Sequence, residues 1–406
     1  MMGFFKKGEL KLLWPFYFDA LFLTMLFLCP IFYVLYFREL GFSLAQIGFL
    51  ASAYSLGMIL FEIPTGAIAD LWGRKISTIL GYFLAGIAVI AVIFTGNFYA
   101  VMALSFARGA FGTLRSGAED AWVVDLLKHK KRKELIHEFY SKQQSFISAG
   151  FLVAGIIGAF LVKIFGLWII WPVTGTLMIA TSIVFLFGQE HFVKGKRIQG
   201  VIQRVKAVFG HSMKSINYSM KHNVISLLIF SGMICMIVTA FAYDLTWFPF
   251  LQNLGFKAHW FGYLMSASCF LGIFIPYFTK SLSIKLGGYK RYLIFILSLQ
   301  IFLLLSVLFV KWMLVAVLVY LLFLISFDFY GPVRVAFYQH FLPSKMRATI
   351  DSFRSMLYSI VTMITAPLAG FIADKIGPQI TIAIGGILLI PAIFLYLKIK
   401  GDVVPK

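Results

Sequence analysis

The chain has 406 residues, of which 61% are hydrophobic and 13% charged, with a mean hydropathy of +0.90 and a formal charge of +20. A soluble globular enzyme needs more polar surface than this composition supplies, and apolar stretches of about 20 residues, enough to cross a hydrocarbon layer of about 30 Å, recur from end to end. The basic residues are spread over short loops, where anionic lipid headgroups account for them, so nucleic acid is excluded as a partner.

In chain order the predicted membrane spans are 11–37, 45–69, 76–95, 99–124, 143–164, 167–187, 223–248, 259–280, 292–310, 312–335, 350–372 and 379–397. The first is too long for a cleaved signal peptide and lacks a processing pattern, so it reads as helix one. The expected fold is an all-α membrane protein with twelve transmembrane helices in two six-helix bundles. Residues 1–188 form the N-terminal bundle, 189–221 a basic cytoplasmic connector and 222–406 the C-terminal bundle. Within the connector, 201–208 reads either as a short interfacial helix or as plain tether. Loops on one face hold Lys6, Lys7, Lys11, Arg74, Lys75, Lys128, Lys130 and Lys131, among others, while the opposite face holds only Arg38, Lys163, Lys257, Lys311 and Lys375. That asymmetry places both termini in the cytoplasm of a multi-pass protein of the cell membrane, the inner membrane in a bacterium. Cys29, Cys235 and Cys269 lie in apolar stretches and read as packing residues.

The two halves repeat. Gln46-Ile47-Gly48-Phe49-Leu50, after helix one, is echoed by Trp260-Phe261-Gly262-Tyr263-Leu264 after helix seven. Gly112-Thr113-Leu114-Arg115 of helix four is echoed by Gly331-Pro332-Val333-Arg334 of helix ten. Six spans per half give both halves the same orientation, which suits two bundles rocking about a central site.

Between helices two and three stands Gly66-Ala67-Ile68-Ala69-Asp70-Leu71-Trp72-Gly73-Arg74-Lys75. This segment resembles the signature of the major facilitator superfamily, Gly-x-Leu-Ala-Asp-Arg-x-Gly-Arg-Lys, with Ile68 and Leu71 as departures. The resemblance implies a cytoplasmic latch made by Asp70, Arg74 and Lys75, with Asp125 as the acidic partner of Arg74. Leu104, Arg108 and Gly112 resemble the family's next motif, on helix four. Gly150, Ala154, Gly155, Gly158 and Ala159 on helix five, and Ala366-Pro367-Leu368-Ala369-Gly370 on helix eleven, resemble the drug-exporter branch of proton antiporters. In that family helices one, four, seven and ten line the cavity.

Ionisable residues at membrane depth mark function unless they pair. Asp19, Asp328 and Glu62 are the candidates for proton coupling. Asp19 lies amid Phe16, Tyr17, Phe18 and Phe22, and Tyr17 or a backbone group is an alternative partner for it. Glu62 reads equally as an interdomain latch. Substrate-binding candidates are Arg108, Tyr243, Asp244, Trp247, Phe329 and Tyr330. On helix four, Arg108, Gly112, Arg115 and Glu119 fall on one stripe; Arg115 and Glu119 read as a gate with Arg334, the repeat counterpart of Arg115. The expected function is secondary active transport, as proton-coupled export of an amphipathic organic compound or as uptake of a sugar or organic acid. Its partners are a small molecule, protons and the lipid bilayer, and a monomer is expected. No nucleophile–base set or metal-ligand spacing is present, so no enzymatic activity, metal or cofactor is expected.

Overall fold

The computed structural model describes residues 5–22, 28–191, 222–343 and 346–403. The described residues form helices and no strand. These are α1 (Glu9–Phe22), α2 (Leu28–Glu39), α3 (Leu44–Trp72), α4 (Arg74–Ala91), α5 (Phe98–Arg115), α6 (Ala118–His129), α7 (Leu135–Phe165) and α8 (Ile170–Leu186). After the connector come α9 (Asn223–Thr239), α10 (Trp247–Asn253), α11 (Trp260–Gly272), α12 (Ile275–Lys285), α13 (Tyr289–Ser306), α14 (Met313–Phe341), α15 (Arg347–Ile376) and α16 (Pro378–Lys398). Residues 201–208 lie outside the described residues.

Among the described residues, 9 stretches are long and apolar enough to cross a membrane. The predicted spans 99–124 and 259–280 are each occupied by two shorter helices, α5 with α6 and α11 with α12, and 11–37 holds α1 and α2 on either side of residues outside the described ones. The breaks have local causes. Gly117, at φ +71°, turns the chain between α5 and α6 in a conformation that costs any residue with a Cβ. Pro276 sits at the start of α12, where its missing N–H is tolerated but would interrupt a longer helix. The seventh predicted span bends too. A π-turn at Ala240–Asp244 includes Ala242 at φ −134°, and Thr246 Oγ1 donates to the Phe241 carbonyl at 2.7 Å.

The chain forms two compact units. The first comprises Met1–Tyr36, Ala53–Gln203 and Ala258–Ser266, and the second Phe37–Ser52, Arg204–Lys257 and Ala267–Lys406. In the first, α4 packs on α5 and α8, and α1 on α7. Leu13, Phe16, Tyr17, Tyr82, Trp122 and Phe139 form a buried core beside them. In the second, α16 packs on α9 and α13. Asp374 of α15 caps the first turn of α3, accepting from the Leu44 and Ala45 amides at 2.9 Å each.

Candidate functional site

The first unit gathers Asp19, Tyr82, Arg115 and Glu119. Asp19 is 1% exposed on α1, and the Tyr82 hydroxyl of α4 donates to its Oδ1 at 2.5 Å. Arg115 closes α5 and donates from Nη1 to the same hydroxyl at 2.9 Å. Glu119 opens α6 across the Gly117 turn, with Oε2 3.9 Å from Arg115 Nη1, and its carboxyl interacts electrostatically with that of Asp19. Phe16 and Tyr82 flank this cluster from the buried core, and the Phe16 ring meets Trp122 edge-on at 4.8 Å. Packing of this kind leaves few rotamers open, so the polar groups are held in place.

The loop after α3 is tied down in the same unit. Arg74 pairs with Asp125 and donates to the Ala121 carbonyl at 2.6 Å. Lys75 donates from Nζ to the Leu186 and Gly188 carbonyls at 2.8 and 2.9 Å, the free end of α8. Glu190 accepts from the Lys75 amide at 2.9 Å and so caps α4. Asp70 is exposed at the end of α3.

Glu9, ahead of the predicted span 11–37, is buried in the first turn of α1. It accepts from Lys142 Nζ at 2.7 and 2.8 Å, from the Tyr17 hydroxyl at 2.5 Å and from the Lys6 amide at 2.7 Å. Burial works against its charge, but Lys142, Tyr17 and the Lys6 amide together hold the carboxyl below its usual range.

The other candidates are dispersed. Glu62 is exposed on α3, and Arg108 lies half-buried on α5 with its guanidinium 4.8 Å from the Tyr54 ring. In the second unit Asp328 is exposed on α14; a Cβ on Gly272 of α11 would stand 3.3 Å from its Oδ2. Trp247 is fully buried against Tyr320 at 4.8 Å, and Tyr243 stacks on Phe327 at 5.7 Å. The Phe329 carbonyl accepts from the Tyr292 hydroxyl at 3.1 Å. The Asp244 side chain lies outside the described residues.

Tyr330 and Arg334 of α14 belong to a third cluster. Tyr330 Oη lies 3.4 Å from Cys235 Sγ and 3.0 Å from Tyr396 Oη, and Arg334 lies beside the rings of Tyr330 and Tyr358. The sequence reading passed over Tyr82, Tyr358 and Tyr396, because single polar groups in apolar helices carry no period or motif, and Glu190, because it stands in a polar segment among other charges. The one available signal was that Tyr82 can hydrogen-bond only inside the bundle.

The pattern of the Major Facilitator Superfamily matches residues 14–356. The chain belongs to that superfamily. It is 22% identical over 389 residues to the uncharacterized MFS-type transporter YxaM of Bacillus subtilis, covering 92% of this chain and 91% of that one. An uncharacterized MFS-type transporter of Methanocaldococcus jannaschii is 23% identical over 218 residues, 52% of this chain and 55% of the relative. The 4-hydroxybenzoate transporter PcaK of Pseudomonas aeruginosa is 26% identical over 150 residues, 37% of this chain and 33% of the relative. The chain thus spans about half of the Methanocaldococcus relative and a third of PcaK. Among solved structures, the nucleoside transporter NupG superposes with a TM-score of 0.74 at 14% identity, covering 95% of this chain and 99% of its own. A bacterial homologue of the lysosomal transporter Spinster gives 0.72 at 14% identity, with 94% of each chain covered. At those identities the likeness establishes the fold alone. Superfamily membership and the long apolar helices make the chain a multi-pass membrane protein.

Proposed function

We propose that the chain is a proton-coupled secondary transporter of a small amphipathic organic compound, with Asp19 and Glu119 as the carboxyl pair that carries the proton. The charge balance around Arg115 supports this reading. Two carboxyl groups interact beside one guanidinium, with Tyr82 bridging Asp19 to Arg115 and Glu119 lying 3.9 Å from the same Arg115 nitrogen. Two ionised carboxylates would exceed the one guanidinium by a charge, and with one proton on the pair the cluster is neutral. Without it the cluster carries a net negative charge at membrane depth, which is costly. Asp120 adds a further negative charge near Glu119. Proton loss therefore favours any conformation that brings water or a cation to the pair, which is the differential interaction coupling requires. Asp328 is the second carboxyl to test.

Two directions of transport fit this chemistry. The α15 sequence Ala366-Pro367-Leu368-Ala369-Gly370 favours export against protons, while the match to a segment of a 4-hydroxybenzoate transporter favours uptake of an organic acid with them. Proteoliposome counterflow with drugs, sugars and organic acids, run with and without a pH gradient, tests both. We expect Asp19→Asn and Glu119→Gln to keep counterflow but to lose its response to the gradient. The direction of proton movement relative to substrate then separates export from uptake. Counterflow that ignores the gradient in the unaltered protein sinks proton coupling.

A further inference from the structure

We infer that the second unit holds an organic-anion site in which Arg334, set among tyrosines, receives the single carboxylate of the cargo. This site rests on the transport reading above and adds to it the charge of what is carried. Arg334 lies in the interior of α14, and its guanidinium is 5.7 Å from the Tyr330 ring and 6.0 Å from the Tyr358 ring. Cys235 of α9, Tyr358 of α15, Tyr396 of α16 and Tyr330 of its own helix, all neutral, lie around it. The buried Arg334 Nε has no acceptor among the described residues.

The nearby charges do not balance it. Arg354 of α15, 5.7 Å from the Tyr358 ring, is matched by Asp351 at 3.1 Å, and Asp351 is also bound by Gln339 at 3.1 Å. Asp328 precedes Arg334 on the same helix by about 9 Å along the axis and about 120° around it. Among the described residues, the Arg334–Arg354–Asp351 group carries one positive charge more than it has carboxylates.

The internal repeat gives a second, independent argument. Arg115, the counterpart of Arg334, is met by Asp19 and Glu119. The register that aligns Arg115 with Arg334 aligns Glu119 with Tyr338, and the register that aligns Gly48 with Gly262 aligns Asp19 with Met233. The second half keeps the cation and has lost both acids. A guanidinium at membrane depth is costly without an anion, and its planar fork matches a carboxylate at two points.

One unmatched charge selects a monoanion, because a dicarboxylate would bring a second charge with no partner. The tyrosine faces beside the guanidinium select an apolar body, so the cargo class is an amphipathic organic monocarboxylate. A sugar would leave the cation unmatched, and an organic cation would be repelled.

The test uses the full chain, purified and reconstituted, with benzoate, 4-hydroxybenzoate and octanoate as probes. Benzamide and benzylamine are the matched neutral and cationic probes. We expect at least one carboxylate to raise the melting temperature and to drive counterflow, with neither benzamide nor benzylamine doing so. Arg334→Gln should weaken carboxylate binding at least tenfold, and Arg334→Lys should weaken it less while keeping the selectivity for anions. Should Arg334→Gln fail to fold, the Lys variant and the charge selectivity of the unaltered protein still decide. Counterflow of benzamide or benzylamine without the carboxylates overturns the anion site but leaves transport standing. Carboxylate binding within twofold of normal in Arg334→Gln also overturns the site. A folded, reconstituted protein that exchanges none of the probes overturns the site and counts against the transport reading itself.

Discussion

Tyr82 shows how much one neutral side chain can carry. Its hydroxyl donates to Asp19 and accepts from Arg115, so an acid and a base on two different helices share one oxygen. Tyr82→Phe removes that oxygen and leaves the ring, which still packs 5.7 Å from Phe185. Both charged groups then lose a buried partner, at a cost of roughly 1–3 kcal/mol. A fall in melting temperature in detergent, together with a shifted dependence of transport on pH, is the expected result. Unchanged stability and pH dependence would mean that Asp19 and Arg115 do not depend on the bridge. Asp19 and Arg115 were legible in the sequence because charge at membrane depth is rare and costly. Tyr82 was not, since a tyrosine in an apolar helix more often packs than bonds. Trp247 marks the converse error in such reasoning: it neighbours a membrane charge in sequence, yet its ring is spent on packing against Tyr320 and Phe250.

At the scale of elements, the informative feature is where helices stop. The breaks at Gly117 and before Ile275 lie beside Arg115 and Glu119 in one case and beside Gly272, the neighbour of Asp328, in the other. A span interrupted at membrane depth frees backbone groups, which is tolerated where protein or a wet cavity satisfies them. Hydropathy placed these segments in the membrane but did not show that each is two helices, because a glycine or proline in an apolar run is compatible with either outcome. The start of α1 is fixed differently, by Glu9 and its three donors. Glu9→Gln leaves Lys142, buried against Phe5, with only the more distant Glu138 carboxylate at 3.7 Å, at a cost of roughly 1–3 kcal/mol. The pH dependence follows from the sign of the Glu9 shift. Its folded value is depressed, so its contribution is complete above its ordinary value of 4.5 and is lost as pH falls through the folded value. Melting curves from pH 3 to pH 7 should show the unaltered protein and Glu9→Gln far apart near neutrality and converging in acid. A constant gap across that range would remove the ion pair from the account.

For the whole molecule, the apolar spans and the internal repeat predict two six-helix bundles divided at the connector. They did not foretell that residues 37–52 group with the second unit and 258–266 with the first. Hydropathy reports which residues leave water, whereas neighbour choice depends on close contacts such as Asp374 with the first turn of α3, far away in sequence. Orientation in the membrane is a different kind of quantity, set by loop charge during insertion rather than by packing. The exposed Lys130 and Lys400 lie on the predicted inner face, and the exposed Lys257 and Lys311 on the outer. A cysteine at Lys257 or Lys311 should therefore react with a membrane-impermeant maleimide in intact cells. A cysteine at Lys130 or Lys400 should react only after permeabilisation, and a C-terminal green fluorescent protein fusion should fluoresce. Cys235 is buried and Cys269 half-buried, so background labelling is to be measured on the unaltered chain and subtracted. The opposite labelling pattern would place the termini outside. It would also move Glu9, Arg74 and Asp125 to the outer face, and with them the side from which the Asp19–Glu119 pair takes up its proton.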